Sequence, residues 1–189
     1  MGLFNLEQSK AAYIADFVFY GFAVAATAVW LLAAGPRAQL PILAALTLMG
    51  LASWTLLEYV LHRFVLHGLQ PFRRWHAEHH QRPMALICTP TILSATLIVT
   101  MVFLPALLLG DLWRAGAMTL GVMTGYLAYG ITHHATHHWR TNSAWLKRRK
   151  LWHALHHRRP DQPGYYGVSN ALWDHVFGSA AQPTVRRRN

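Results

Sequence analysis

Four apolar stretches, 11–34, 40–67, 84–110 and 112–138, dominate the chain, and each exceeds the roughly 20 residues that a bilayer-spanning helix requires. Inside lipid every backbone N–H and C=O must find its partner within the protein, so apolar runs of this length can only become helices. The composition agrees: 53% of the residues are apolar and 13% are charged. These runs predict an all-α integral membrane four-helix bundle. The first is too long for the apolar core of a cleaved leader and follows Glu7 and Lys10, so it reads as a retained anchor.

A net charge of +10 raises nucleic acid as a partner. The distribution of that charge argues otherwise. With four spans, the N-terminus, the 68–83 segment and the 139–189 tail share one side, and that side holds every Lys and Arg except Arg37 and Arg114. By the positive-inside rule it is cytoplasmic. The Ala- and Arg-rich composition suggests a bacterial inner membrane, with no nucleic-acid partner. The basic runs around Arg148 and at 186–188 serve as topology signals, contact with anionic headgroups being the alternative. A lone cysteine, Cys88, excludes an internal disulfide and any multi-cysteine metal site.

The two polar segments are predicted to build a helical cap, the whole of 1–189 forming one domain. Pro71 suits the first position of a short helix that Pro83 stops, and Ser143 caps a second that runs to Arg159 and ends at Pro160. DQPG at 161–164 is a turn, and 170–176 forms a last short helix closed by Gly178. As a helix, 40–67 would measure roughly 42 Å at 1.5 Å per residue, against a hydrocarbon core of about 30 Å. The polar end bearing Glu58, His62, Arg63 and His67 must therefore protrude. The same holds for 112–138, which ends YGITHHATHH.

Those protruding ends meet a sequence written twice: WHAEHHQRP at 75–83 and WHALHHRRP at 152–160. Of the 13 histidines, His76, His79 and His80 form an H-x2-H-H triplet, and His153, His156 and His157 form another. On a helix, positions i, i+3 and i+4 share a face, so each triplet aims imidazoles at one point. His133 and His137 do the same, as do the equally spaced His134 and His138. His62 and His67 are five apart and off one face, so the helix must unwind near Gly68 or the two must serve different ions. Ordered imidazole groups in one layer predict a dimetal site, with the two nonapeptides as near-equivalent half-sites flanking the metals. Scattered surface histidines acting as a pH sensor or a loose metal sponge would not show this spacing. Imidazole suits Zn, Cu, Fe and Ni, and the absence of HExxH leaves a zinc-peptidase reading without its base. Glu58 and Glu78 are candidate acceptors for ring N–H groups behind the ligands.

The order HRFVLH, HAEHH, HHATHH, HALHH and then YYGVSNALWDHVFGS resembles the membrane fatty acid hydroxylase and sterol desaturase superfamily, and EYVLHRFVLH most resembles the fatty acid 2-hydroxylases within it. The resemblance covers 50–180. It implies a four-helix membrane fold whose cytoplasmic cap covers two iron ions, with zinc a possible occupant of isolated protein, and O2 as co-substrate for oxidising an unactivated C–H bond of a lipid. Carried over motif by motif, it implies the ligands His62, His67, His76, His79, His80, His133, His137, His153, His156 and His157. The family's third motif selects His133 and His137 over His134 and His138. No cytochrome-b5-like segment accompanies the bundle, which implies a separate electron-donor protein. Met84, Ala85 and Leu86 stand where acidic and aromatic residues usually follow the first HxxHH motif. Desaturation or ring hydroxylation of a sterol or carotenoid is the alternative within this chemistry. A membrane metal transporter is the alternative outside it, but only Asp16 lies within a span. A non-enzymatic lipid scaffold would consume no O2.

Overall fold

The computed structural model describes residues 7–158 and 164–180. The expected turn at 161–163, the helix stop at Arg159 and Pro160, and the basic run at 186–188 lie outside the described residues. Among the described residues there is no strand, only an isolated bridge between Glu7 and Ile87. The helices divide between two compact units, one drawn from Met1–Leu57 and Met84–Ile131, the other from Glu58–Pro83 and Thr132–Asn189.

In the first unit, α1 (Lys10–Ala34) starts where the Ser9 hydroxyl accepts the Ala12 N–H at 3.2 Å. Helix α2 (Leu40–Val60) begins in this unit, and α6 (Leu112–His138) begins where Asp111 Oδ1 accepts the Arg114 N–H at 2.9 Å. The third apolar stretch starts its helix seven residues later than predicted, because Pro90 sets the helix start and 84–90 runs irregularly, the Gln8 N–H donating to the Leu86 carbonyl at 2.9 Å. It then runs as α4 (Thr91–Ile98), a π-helical turn (Val99–Phe103) and α5 (Leu104–Leu109). The widening has a local cause: Pro105 has no N–H to offer the carbonyl four residues back, Met101.

Three helical spans, Lys10–Ala34, Arg37–Leu66 and Thr91–Leu109, are long and apolar enough to cross a membrane. Their apolar side chains point outward, Leu108 and Leu109 being 85% and 90% exposed, as lipid-facing surface requires. The fourth stretch forms one continuous helix, α6, whose apolar character its glycines, threonines and terminal histidines dilute. Close packing inside the unit uses small residues: a Cβ on Gly121 would run into the backbone of Thr47, Leu51 and Gly50, so α2 and α6 touch main chain to main chain there. Tyr20, Trp54, Ile98 and Val122 make a buried cluster nearby.

The second unit holds the end of α2 from Glu58, the π-helical turn Leu61–Leu66, α3 (Phe72–Gln81), the end of α6 from Thr132, α7 (Ala144–Arg158) and α8 (Leu172–Val176). Pro71 caps α3 rather than forming its first turn, and Ser143 Oγ accepts the Leu146 N–H at the start of α7. Helix α8 is two residues shorter at its start than predicted, since Asn170 turns back to accept the Leu172 N–H at 3.1 Å. Gly178, at φ 71°, then turns the chain in the left-handed conformation that favours glycine.

Candidate metal centre

All the motif histidines fall within the second unit, supplied by four segments. The π-helical turn is the first surprise. Its i→i+5 bond, from the His67 N–H to the His62 carbonyl at 3.2 Å, places two residues that an α-helix would separate on the same side. Their ring centroids lie 5.3 Å apart, and both belong to one group. Of the two alternatives the first holds: the helix widens over Leu61–Leu66 and ends just before Gly68, and the pair stays in one group.

Two groups result: His62, His67, His76, His80 and His156 in one, and His79, His133, His137 and His153 in the other, with candidate donor atoms within 4.8 Å of one another. His157 joins the second through its Nε2, 3.1 Å from that of His153, while its ring stacks on His80 with centroids 4.1 Å apart. His134 and His138 stay outside, stacked on each other at 4.5 Å, and His175 is exposed.

The nonapeptides are not half-sites. In the first copy, His76 and His80 sit one turn apart and face one group, while His79 points to the other. The second copy inverts this, with His153 and His157 in the second group and His156 in the first. Each repeat thus straddles both positions, and the two exchange roles.

Ring geometry fits a cation in each group. The Nε2 atoms of His62 and His76 lie 3.0 Å apart, those of His76 and His80 3.0 Å, and those of His67 and His156 3.1 Å. In the second group, Nε2 separations are 3.1 Å for His79 and His133 and 2.7 Å for His137 and His153. Adjacent nitrogens about 2.1 Å from a shared ion at right angles would be about 3.0 Å apart. Burial of the rings, and then the electrostatic effect of neighbouring imidazoles, disfavour protonation. These causes bring His79 down to about 2, His80 to about 3 and His67 to about 4, and hold His76, His153 and His156 well below the usual histidine value. Burial likewise brings His157 to about 4. The rings are therefore neutral at ordinary pH, the form that ligates metal.

The acceptors expected behind the ligands are elsewhere. Glu78 pairs with Arg82 at 3.3 Å on an exposed turn of α3. Glu58 is 3% exposed, yet takes the N–H groups of Val168 and Ser169 at 2.6 and 2.8 Å and the Ser169 hydroxyl, with no imidazole among its partners in the described residues. Ring N–H groups go instead to main-chain carbonyls: His62 Nδ1 donates to Tyr166 at 2.5 Å and His156 Nδ1 to Gly164 at 2.9 Å. A carbonyl only accepts, so each ring carries its proton on Nδ1 and presents a bare Nε2. Main-chain atoms leave no trace in a motif, and the sequence reading did not single out Asp174, whose carboxylate holds the same loop. Its one cue was an acid inside the short apolar segment ALWDHVF.

Fold and site together define a class: all-helical membrane proteins that gather imidazoles from separate helices into metal-competent groups. A family model for fatty acid hydroxylase matches residues 47–179, and the chain belongs to that family. It is 36% identical to a dihydroceramide fatty acyl 2-hydroxylase of Arabidopsis thaliana, over 69% of this chain and 58% of that protein. It is 31% identical to a ceramide very long chain fatty acid hydroxylase of Schizosaccharomyces pombe, over 86% of this chain and 47% of that one. The chain thus spans about half to three-fifths of the length of these relatives. Among solved structures, full-length scs7p, in which only the hydroxylase domain is visible, shares the fold with a TM-score of 0.73 and 23% identity, covering 95% of this chain and 69% of that one.

Proposed function

We propose that the chain is a membrane-bound, O2-dependent diiron hydroxylase of lipid acyl chains, its two iron ions held by His62, His67, His76, His80 and His156 and by His79, His133, His137, His153 and His157. The observation that carries this reading is the convergence of bare Nε2 atoms into two adjoining groups in a chain of the fatty acid hydroxylase family. When bound, iron would supply the O2 chemistry that an unactivated C–H bond demands and that no protein side chain provides.

The residues of this chain do the rest. Neutral imidazoles offer lone pairs without competing protons. His62 and His156 are held in one tautomer by the Tyr166 and Gly164 carbonyls. His156 and His62, 0% and 2% exposed, are shielded from water, which protects that part of a reactive centre from side reactions. Overall, a lipid C–H, one O2, two electrons and two protons give a C–OH and one water, so a donor of two electrons is required. We assign that role to a separate protein, and by the distribution of Lys and Arg we place the site on the cytoplasmic side of a bacterial inner membrane. The names of the plant and yeast relatives point to a fatty acyl chain as substrate, and that of the plant relative to its 2-position as the carbon attacked.

Mass spectrometry of lipids from cells expressing the wild-type chain or His156→Ala tests the proposal. The expected result is acyl chains bearing one added hydroxyl, at the 2-position, in wild-type cells alone. Identical lipid profiles, in cells supplied with iron and a competent reductase, would overturn it.

A further inference from the structure

The segment 164–169 contains no histidine, yet it is tied directly to the centre. Its Tyr166 and Gly164 carbonyls take the Nδ1 protons of His62 and His156. Two buried carboxylates hold the segment from behind. Asp174, 0% exposed, accepts the Tyr166 N–H through Oδ1 at 2.8 Å and the Gly167 N–H through Oδ2 at 2.7 Å, and its Oδ1 also takes the Ser179 hydroxyl at 2.7 Å. Glu58 holds Val168 and Ser169 as described above. Burying two carboxylates is costly unless their oxygens are satisfied, and among the described residues the donors come from this loop and Ser179.

The support is uneven. Both rings held by this segment, His62 and His156, belong to the five-histidine group. Of that group only the His80 Nδ1 is a buried atom with no hydrogen-bond partner among the described residues, whereas beside the other position the buried Nδ1 atoms of His79, His153 and His157 have none. A ring held by an Nδ1–H···O=C bond is fixed in direction and is a more basic ligand at Nε2, and a donor set arranged in advance loses less freedom on binding.

We infer that Glu58 and Asp174 are positioning residues that act through 164–169 on His62 and His156, and that the five-histidine group consequently binds a divalent cation more tightly than the group containing His79. This rests on both groups being metal sites. The full chain, purified in detergent and stripped of metal, is titrated with Co2+, following the visible absorption of imidazole-bound cobalt and the metal bound per chain. Wild-type protein is expected to fill two sites in two resolved steps. In Asp174→Asn the tighter step weakens on the order of 10–100-fold, the range for lost partners behind ligands, while the weaker step is unmoved. Ser179→Ala, a smaller change, weakens the same step less. Glu58→Gln, whose amide can accept both N–H groups and donate to the Ser169 oxygen, retains most of the affinity where Glu58→Ala does not. Two sites of equal affinity in the wild type, or variants that weaken both steps alike, would overturn the inference while leaving the metal sites standing. Failure to bind any Co2+ would overturn both the inference and the functional reading beneath it.

Discussion

Adjacent histidines on α3 should report on different ions. His79 and His80 are neighbours, yet His79 faces His133, His137 and His153 while His80 faces His62, His67, His76 and His156. Replacing either by Ala removes one imidazole from one group and leaves the other intact. A ligand contributes at least what its hydrogen-bonding partner does, about 100-fold at the upper end, which at 1.4 kcal/mol per tenfold is about 2.8 kcal/mol. That loss suffices to empty most of a site at a free metal concentration about tenfold above its wild-type dissociation constant, where the unaltered site is about nine-tenths filled. Metal per chain, measured by mass spectrometry after equilibration in metal-buffered solution, should fall from two to one in His79→Ala and in His80→Ala. Double variants separate the groupings. His79→Ala with His133→Ala should still hold one ion, as should His80→Ala with His62→Ala, whereas His79→Ala with His80→Ala should hold none. If the nonapeptides were half-sites, the last pair would retain one ion, and that result would refute the interleaved arrangement.

Gly121→Ala should destabilise the folded protein by roughly 1–3 kcal/mol through overpacking against the backbone of Thr47 and Leu51; Gly21→Ala, where nothing lies within 4 Å, should be neutral or slightly stabilising, and equal thermal midpoints for the two would count against the close packing of α2 and α6. Metal-free protein should lose stability on acidification: burial brings His67 and His157 down to about 4 in the fold, from an ordinary histidine value of about 6.5. Between those values the unfolded chain binds more protons, so stability is full above about pH 6.5 and falls as the pH drops toward about 4; a thermal midpoint that stays flat from pH 7.5 to 5 would contradict the burial of these rings. His134→Ala should leave both metal content and lipid product unchanged, because that ring stacks on His138 outside both groups; loss of an ion in this variant would reverse the choice between the two pairs on α6.

Much of this architecture is legible in one dimension because its causes are local. Apolar runs longer than a bilayer is thick must be helical, whatever they pack against, and i, i+3, i+4 spacing fixes which imidazoles share a face before any tertiary contact forms. Those rules give the helices, the triplets on α3 and α7, and the end of α6 as a source of ligands. They fail where geometry departs from the ideal period or depends on a distant segment. The five-residue separation of His62 and His67 reads as a defect until a π-helical turn is seen to bring them together. Glu58 looks like a partner for a neighbouring ring, one turn from His62, but is taken by the N–H groups of a loop more than a hundred residues away, at 168 and 169. Which ring serves which position, and which backbone oxygens steady it, was decided only when four segments met, because an imidazole on a helix has a direction but no partner until another chain segment supplies one.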